Sequence, residues 1–244
     1  MSMLSFPFLY FPAIVVVTVL SVSFLRLAYM MFRPRIISHE EQQAARNVRT
    51  MDQQAVQNTR TTTVVFAGSF NPPHHGHISL LDHLSSKYGE VIVVIGMNPN
   101  KRYDVSPHFR ATLVRKMVAQ NFNSGVSGNH RATIRVEVVT GLIWRYAMSQ
   151  NAKSMYRGIR TWKQDGPSEQ NLLNQNTLWP LILGPLKWPL PTTFLEGAPK
   201  YRRISSTLIR NLCIEAKERG TEPDLEEFMP ASITELVKNA YAKT

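Results

Sequence analysis

The chain has 244 residues, enough for one large domain or two small ones, and its 43% apolar content supplies a proper core. A single cysteine, Cys213, excludes an internal disulfide framework and any cysteine-based zinc site. The net charge of +11 suits an anionic partner, whether nucleotide, nucleic acid or membrane surface, and does not choose among them.

Residues 4–25 are almost wholly apolar and carry no charge. Roughly 20 apolar residues cross a bilayer as a helix, so this run reads as an N-terminal transmembrane helix. Pro7 and Pro12 fall in its first half, where proline kinks or shortens a helix. The first basic residues, Arg26, Arg33 and Arg35, all follow the run, and the positive-inside rule then keeps the rest of the chain in the cytosol. Organelle targeting is the rival reading, although transit peptides are amphipathic and arginine-rich from their start. Residues 1–35 are thus expected to be a membrane anchor. Residues 36–60, rich in Gln, Asn and Arg and without an apolar stripe, read as a polar tether that is partly helical at most.

From residue 61 to 244 apolar strands alternate with helical patterns. A buried-type strand at 64–67 runs into Gly68-Ser69-Phe70-Asn71-Pro72-Pro73 and then a helix over 77–87. A second strand covers 91–96, and Ser106-Pro107 is a good start for a helix reaching 121, with a cap and then proline at the first position. Strands follow at 134–139, 154–156 and 192–195, with helices over 141–150, 171–178, 206–219 and 231–242. This alternation implies a parallel sheet of about five strands covered on both faces. The stretch around Trp179 and Trp188, with Pro180, Pro185, Pro189 and Pro191, reads as a packed loop, a membrane-contacting surface or a partner site.

Chemistry concentrates where strands end. A strand, a glycine turn and a helix start aim backbone N–H groups and a positive helix terminus at one point, which phosphate usually occupies. Ser69, His74 and His77 add side-chain donors there. Loops at the carboxyl ends of parallel strands line one crevice, so Ser69, His77, Lys101, Arg157, Arg160 and the helix start at Ser205, Ser206 and Thr207 are expected together. The set is nearly all donors and cations, without paired carboxylates or a nucleophile–base couple, and it suits anionic phosphates rather than a covalent intermediate. Zinc at His74 and His77 is not expected, since no third ligand is in sight.

GSFNPPHHGH looks like the (T/H)xGH motif of the nucleotidylyltransferase superfamily, and RISSTLIR resembles its second signature. With NPNKRYDVSPHFR and GLIWRYAMSQNAKSMYRGIR between them, the order and spacing are similar to the pantetheine-phosphate adenylyltransferase family. The resemblance implies a Rossmann-like open sheet and transfer of AMP from ATP to 4′-phosphopantetheine by in-line displacement, with Mg²⁺ assisting. It implies that His77, Lys101 and Arg160 are catalytic. Ser69, Phe70, His77, Gly158, Ile159, Arg160, Tyr201, Ser205, Ser206 and Thr207 would contact ATP. Ser69, Lys101, Ile143 and Arg157 would hold the acceptor. Asp165, Glu169 and Asn176 align only with a one-residue insertion, and through it Glu169 is carried over as an ATP contact. The partners implied are ATP and a phosphate-bearing small molecule, with a homo-oligomer and no nucleic acid.

Asn71, where the family has Asp, and Thr207, where it has a third serine, are more like nicotinamide or nicotinate mononucleotide adenylyltransferases, which remain the second enzyme reading. The cytidylyltransferases of lipid synthesis carry a second signature closer to RTEGISTS, which RRISSTLIR does not match. A catalytically weak nucleotide-binding interaction protein is the reading from another class.

Overall fold

The computed structural model describes residues 10–48, 61–97, 103, 105–122, 132–183 and 189–242. The chain divides into two compact units, residues 1–34 and 35–244. In the first, helix α1 covers Tyr10–Phe32. The expected transmembrane helix, and with it a membrane-anchored location with the catalytic domain facing the cytosol, is not supported: among the described residues no helix is long and apolar enough to cross a membrane. Helix α1 carries Arg26 within its 23 residues, and a charge inside a span is costly.

The second unit is built on a six-stranded sheet, all parallel, in the order β1-β6-β5-β2-β3-β4. The strands are β1 Arg35–Ile37, β2 Thr63–Gly68, β3 Glu90–Gly96, β4 Thr133–Val139, β5 Met155–Ile159 and β6 Thr192–Glu196. Continuous β-branched runs such as Val91 to Ile95 suit a sheet buried on both faces, and all five of those residues are 0% exposed. Side chains alternate between the faces. Val64, Phe66, Val91 and Val93 pack with α3 (His75–Lys87) and α4 (Pro107–Phe122), while Val65, Ala67, Ile92 and Val94 pack with Trp144 and Ala147 of α5 (Ile143–Ser149). A third cluster joins Leu113 to α7 (Ser206–Glu218), α8 (Ala231–Tyr241) and the segment carrying Leu225 and Met229.

From β2 the chain winds outward through β3 and β4, then crosses back to β5 on the other side of β2. That makes the β2–β5 boundary the topological switch point, where ligands bind in open parallel sheets.

Two regions differ from expectation. Residues 35–48, read as the end of an anchor and part of a tether, instead form β1 and helix α2 (His39–Val48). The helix opens with a reciprocal cap: Glu41 N–H donates to Ser38 Oγ at 3.2 Å and Ser38 N–H to the Glu41 carboxylate at 3.0 Å. Buried Gln42 then donates through Nε2 to the carbonyls of Ile37 (3.2 Å) and Glu196 (2.9 Å), tying β1 and α2 to the end of β6. The other difference is α6, which runs unbroken over Trp162–Leu183 through Gly166 and Pro167, residues that read as helix-breaking. A Cβ at Gly166 would stand 3.0 Å from the Trp162 ring, which itself packs edge-on against Phe194 at 5.1 Å. The helix needs glycine there to seat that indole. Trp179 lies on α6 and is 41% exposed, whereas Trp188 lies outside the described residues.

Replacing Gln42 by Ala leaves two carbonyls without their donor and should lower stability by about 1–3 kcal/mol, read as a shift in the urea unfolding midpoint. An unchanged midpoint would show that β1 and α2 contribute nothing to the fold.

Candidate active site

A cavity of about 500 Å³ opens at the C-terminal ends of β2 and β5. Its lining contains Ser69, Phe70, His77, Arg157, Gly158, Ile159, Arg160, Glu169, Tyr201, Ser205, Ser206 and Thr207, so those twelve expected site residues share one space. His74, Gly76, Asp165 and Ser168 complete much of the wall. Ile143 is not in the lining. It heads α5 and packs at the end of β3, where a Cβ on Gly96 would come within 2.9 Å of its Cδ1. Lys101 lies outside the described residues.

The turn after β2 is shaped by Phe70, which sits at φ 47°, in the left-handed region that bulky residues rarely enter. Its ring folds back over the strand end, 1% exposed, edge-on to Phe66 at 5.7 Å and 4.8 Å from the His77 ring. A Cβ on Gly68 would stand 2.9 Å from the Phe70 ring, so glycine is required there for close approach. The next peptide, Asn71–Pro72, is cis. Side chains from three helices hold the carbonyls of the turn: Arg110 Nη1 donates to Ser69 O at 2.5 Å, Arg210 Nη1 to Asn71 O at 2.5 Å, and Ser206 Oγ to Pro72 O at 2.7 Å, while Tyr241 Oη donates to Asn71 Oδ1 at 2.6 Å. The start of α7 is therefore docked on the turn through Ser206 and Arg210. Ser205 caps that helix, its Oγ accepting from Leu208 N–H at 3.1 Å, while helix geometry leaves the first N–H groups without intrahelical partners.

His77 occupies the first turn of α3. Its Nδ1 accepts the backbone N–H of His74 at 3.1 Å, which assigns the ring proton to Nε2 and makes that nitrogen the donor available to the cavity. Burial pushes the His77 pKa from its ordinary 6.5 down to about 3, so the ring is a neutral donor at any ordinary pH. His74 is held well below its usual value, first by burial and then by the neighbouring His77 and His75. Its ring lies 3.8 Å from that of His77, and a Cβ on Gly76 would meet it at 3.0 Å. Gly76 makes room for His74. The backbone N–H of His75 is spent on Phe228 O at 2.9 Å and does not serve the cavity.

The arginines are not free. Arg157 makes a bidentate pair with Glu169 at 2.5 and 2.9 Å, and Arg160 a pair with Asp165 whose shortest contact is 2.5 Å. That pairing raises the Arg160 pKa further, chiefly through the Asp165 hydrogen bond. A site expected to hold almost only donors and cations thus carries two carboxylates, both from α6. Asp165 and Glu169 stand four apart on a helix and so share a face, a spacing hidden as long as 162–170 is read as irregular. Asn176 is structural, donating to Thr192 Oγ1 at 3.2 Å in the core. Arg110, 0% exposed, and Tyr241, 1% exposed, had no role in the sequence reading.

A family model described as cytidylyltransferase-like matches residues 65–212. The phosphopantetheine adenylyltransferase of Actinobacillus pleuropneumoniae serotype 3 (strain JL03) is 30% identical over 171 residues, covering 70% of this chain and 93% of that protein. Its counterpart in Haemophilus ducreyi is 28% identical over 177 residues, covering 72% and 95%. Among solved structures, the nicotinic acid mononucleotide adenylyltransferase of Plasmodium falciparum complexed with NaAD superposes with a TM-score of 0.47 at 19% identity, covering 74% of this chain and 97% of that one.

The depressed His77 pKa makes stability depend on pH with a definite sign. The unfolded chain takes up a proton near pH 6.5 while the native ring does not, so stability is full above that pH and falls as the pH drops toward 3. The slope is about 1.4 kcal/mol per pH unit for each such group. His77→Asn keeps an acceptor for His74 N–H and removes the titration. Urea midpoints at pH 7 and pH 5 should therefore drop less for the variant than for wild type, and equal drops would remove His77 as the source.

Proposed function

The chain belongs to the cytidylyltransferase-like family, and on that footing we propose that it transfers AMP from ATP to 4′-phosphopantetheine, giving dephospho-coenzyme A and pyrophosphate. The observation that carries this reading is the 30% identity to a phosphopantetheine adenylyltransferase across 93% of that enzyme's length. The same relatives favour ATP over CTP, whatever nucleotide the family description names.

In this reading an oxygen of the acceptor phosphate attacks the α-phosphorus of ATP in line, a new P–O bond forms, and the bond to the bridging oxygen of the β-phosphate breaks to release pyrophosphate. No protein nucleophile takes part, so the site contributes position and charge stabilisation. His77 Nε2–H donates to the α-phosphate and strengthens that bond as charge builds on the equatorial oxygens. The N–H groups at the start of α7 and the hydroxyls of Ser205 and Thr207 receive the β- and γ-phosphates. Arg157 and Arg160 exchange their carboxylate partners for substrate phosphates, since both anions match the guanidinium fork.

Mg²⁺ enters as part of the substrate. Among the described residues no group of three or more His, Cys, Asp or Glu side chains is placed to hold a metal. The site fits an ion chelated by the ATP phosphates, the usual habit of Mg²⁺, and not a dedicated protein cage.

Pyrophosphate release by the full chain with ATP and 4′-phosphopantetheine should be saturable, and absent with CTP. Activity confined to nicotinate mononucleotide as acceptor would overturn the substrate assignment. His77→Ala should lower kcat by about 10²–10³, the usual loss for one transition-state donor, with ATP binding measured by calorimetry largely retained.

A further inference from the structure

Arg110 is an anomaly that the proposed reaction leaves unexplained. It sits on α4 with 0% exposure, among the largest fully buried side chains, yet no carboxylate pairs with it among the described residues. Its Nε and Nη2 make no hydrogen bond, its guanidinium lies 4.2 Å from the centre of the Tyr103 ring, and the titratable groups that act on it are the phenols of Tyr103 and Tyr241. A buried cation without a counter-ion costs several kcal/mol, and an apolar side chain of the same size would cost less. Stability alone does not account for arginine at this position.

What Arg110 does make is one bond, from Nη1 to Ser69 O at 2.5 Å. A trans peptide is planar, with its C=O and N–H pointing in opposite directions. Drawing the Ser69 carbonyl toward Arg110 therefore turns the N–H of Phe70 the other way. Ser69 and Phe70 line the cavity and Arg110 does not, so that amide is aimed at the ligand space, and it has no hydrogen-bond partner among the described residues. The other captured carbonyls of the turn cannot do this. Those of Asn71 and Pro72 belong to peptide bonds whose nitrogens are proline nitrogens, which carry no hydrogen. Of the three captures, the one made by Arg110 is the one that orients an amide donor.

We propose that Arg110 is a positioning residue for the reaction: by holding the Ser69 carbonyl from beneath the turn, it fixes the Phe70 N–H as a phosphate donor inside the cavity. The bound phosphate also places negative charge near a cation that has no carboxylate partner among the described residues, which ties the cost of burying Arg110 to ligand binding. This rests on the phosphate-binding reading of the cavity and extends to any phosphate-bearing acceptor.

The test uses the full chain labelled with ¹⁵N-phenylalanine, as wild type and as Arg110→Met, a substitution close in volume that removes donor and charge. Added pyrophosphate should shift the Phe70 amide resonance of wild type clearly, and that shift should vanish in Arg110→Met while the variant still unfolds cooperatively. In the pyrophosphate-release assay Arg110→Met should lose about 30- to 100-fold in kcat, with KM for ATP within about threefold, a split that a merely destabilised protein does not produce. A Phe70 amide that pyrophosphate leaves unmoved in wild type overturns the proposal, even if Arg110→Met fails to fold. An equal shift or an equal kcat in a folded Arg110→Met overturns it too. If wild type shows no turnover with any acceptor, the activity reading fails and the amide shift still judges Arg110.

Discussion

A phenylalanine held at φ 47° between a buried strand and two prolines is costly, of the order of 1–3 kcal/mol, and the site is arranged around keeping it there. The turn cannot hold itself, because two of its residues lack N–H groups. Arg110 from α4, Ser206 and Arg210 from α7 and Tyr241 from α8 each take an oxygen of residues 69–72. The Phe70 ring adds its own burial against Phe66 and His77. This gives the C-terminal helices a role beyond packing. They share a cluster with Leu113 of α4 through Ile209, Ile233 and Val237, so the helix that supplies Arg110 and the helices that supply the other donors share one core.

Charge is handled by a second device. The chain is strongly basic, and the cavity would be a concentrated positive site were its arginines unpaired. Instead α6 presents Asp165 and Glu169 as internal anions. These pairs hold Arg157 and Arg160 in defined rotamers, which lowers the conformational entropy lost on ligand binding at the expense of a competing carboxylate. His77 reaches the same end without charge. Its proton is placed on Nε2 by a backbone bond, and burial keeps the ring neutral, so its donor needs neither counter-ion nor reorientation. The cavity therefore combines neutral donors from α3 and α7 with cations restrained by α6.

Much of this was legible in the residues. The β-branched runs and their glycine and proline stops mark five of the six strands, and Ser106-Pro107 and Ser205 mark helix starts. The strand-end rule assembles Ser69, His77, Arg157, Arg160 and the Ser205–Thr207 terminus around one space. Other features were present in the sequence and passed over. Ser38 and Glu41 form a capping box by spacing alone, and that box announces α2 within a stretch whose polar composition suggested a tether. The N-terminal apolar run illustrates the opposite error, since its apolar count pointed to a span that no helix among the described residues supports.

What the sequence determined by itself is local and periodic: which segments are strands, where helices start, and where strand ends bring donors together. Those follow from backbone conformation and from patterns two to four residues apart. What only the tertiary structure decided depends on residues far apart in the chain. Examples are Arg110 beneath Ser69, Tyr241 on Asn71, Phe228 on His75, and Glu169 on Arg157 along a helix that Gly166 and Pro167 disguise. An arginine reads the same in sequence whether it solvates a surface, pairs with a carboxylate or holds a carbonyl in the core. Packing alone separates these cases, because burial sets the cost of its charge and neighbours set where its donors point.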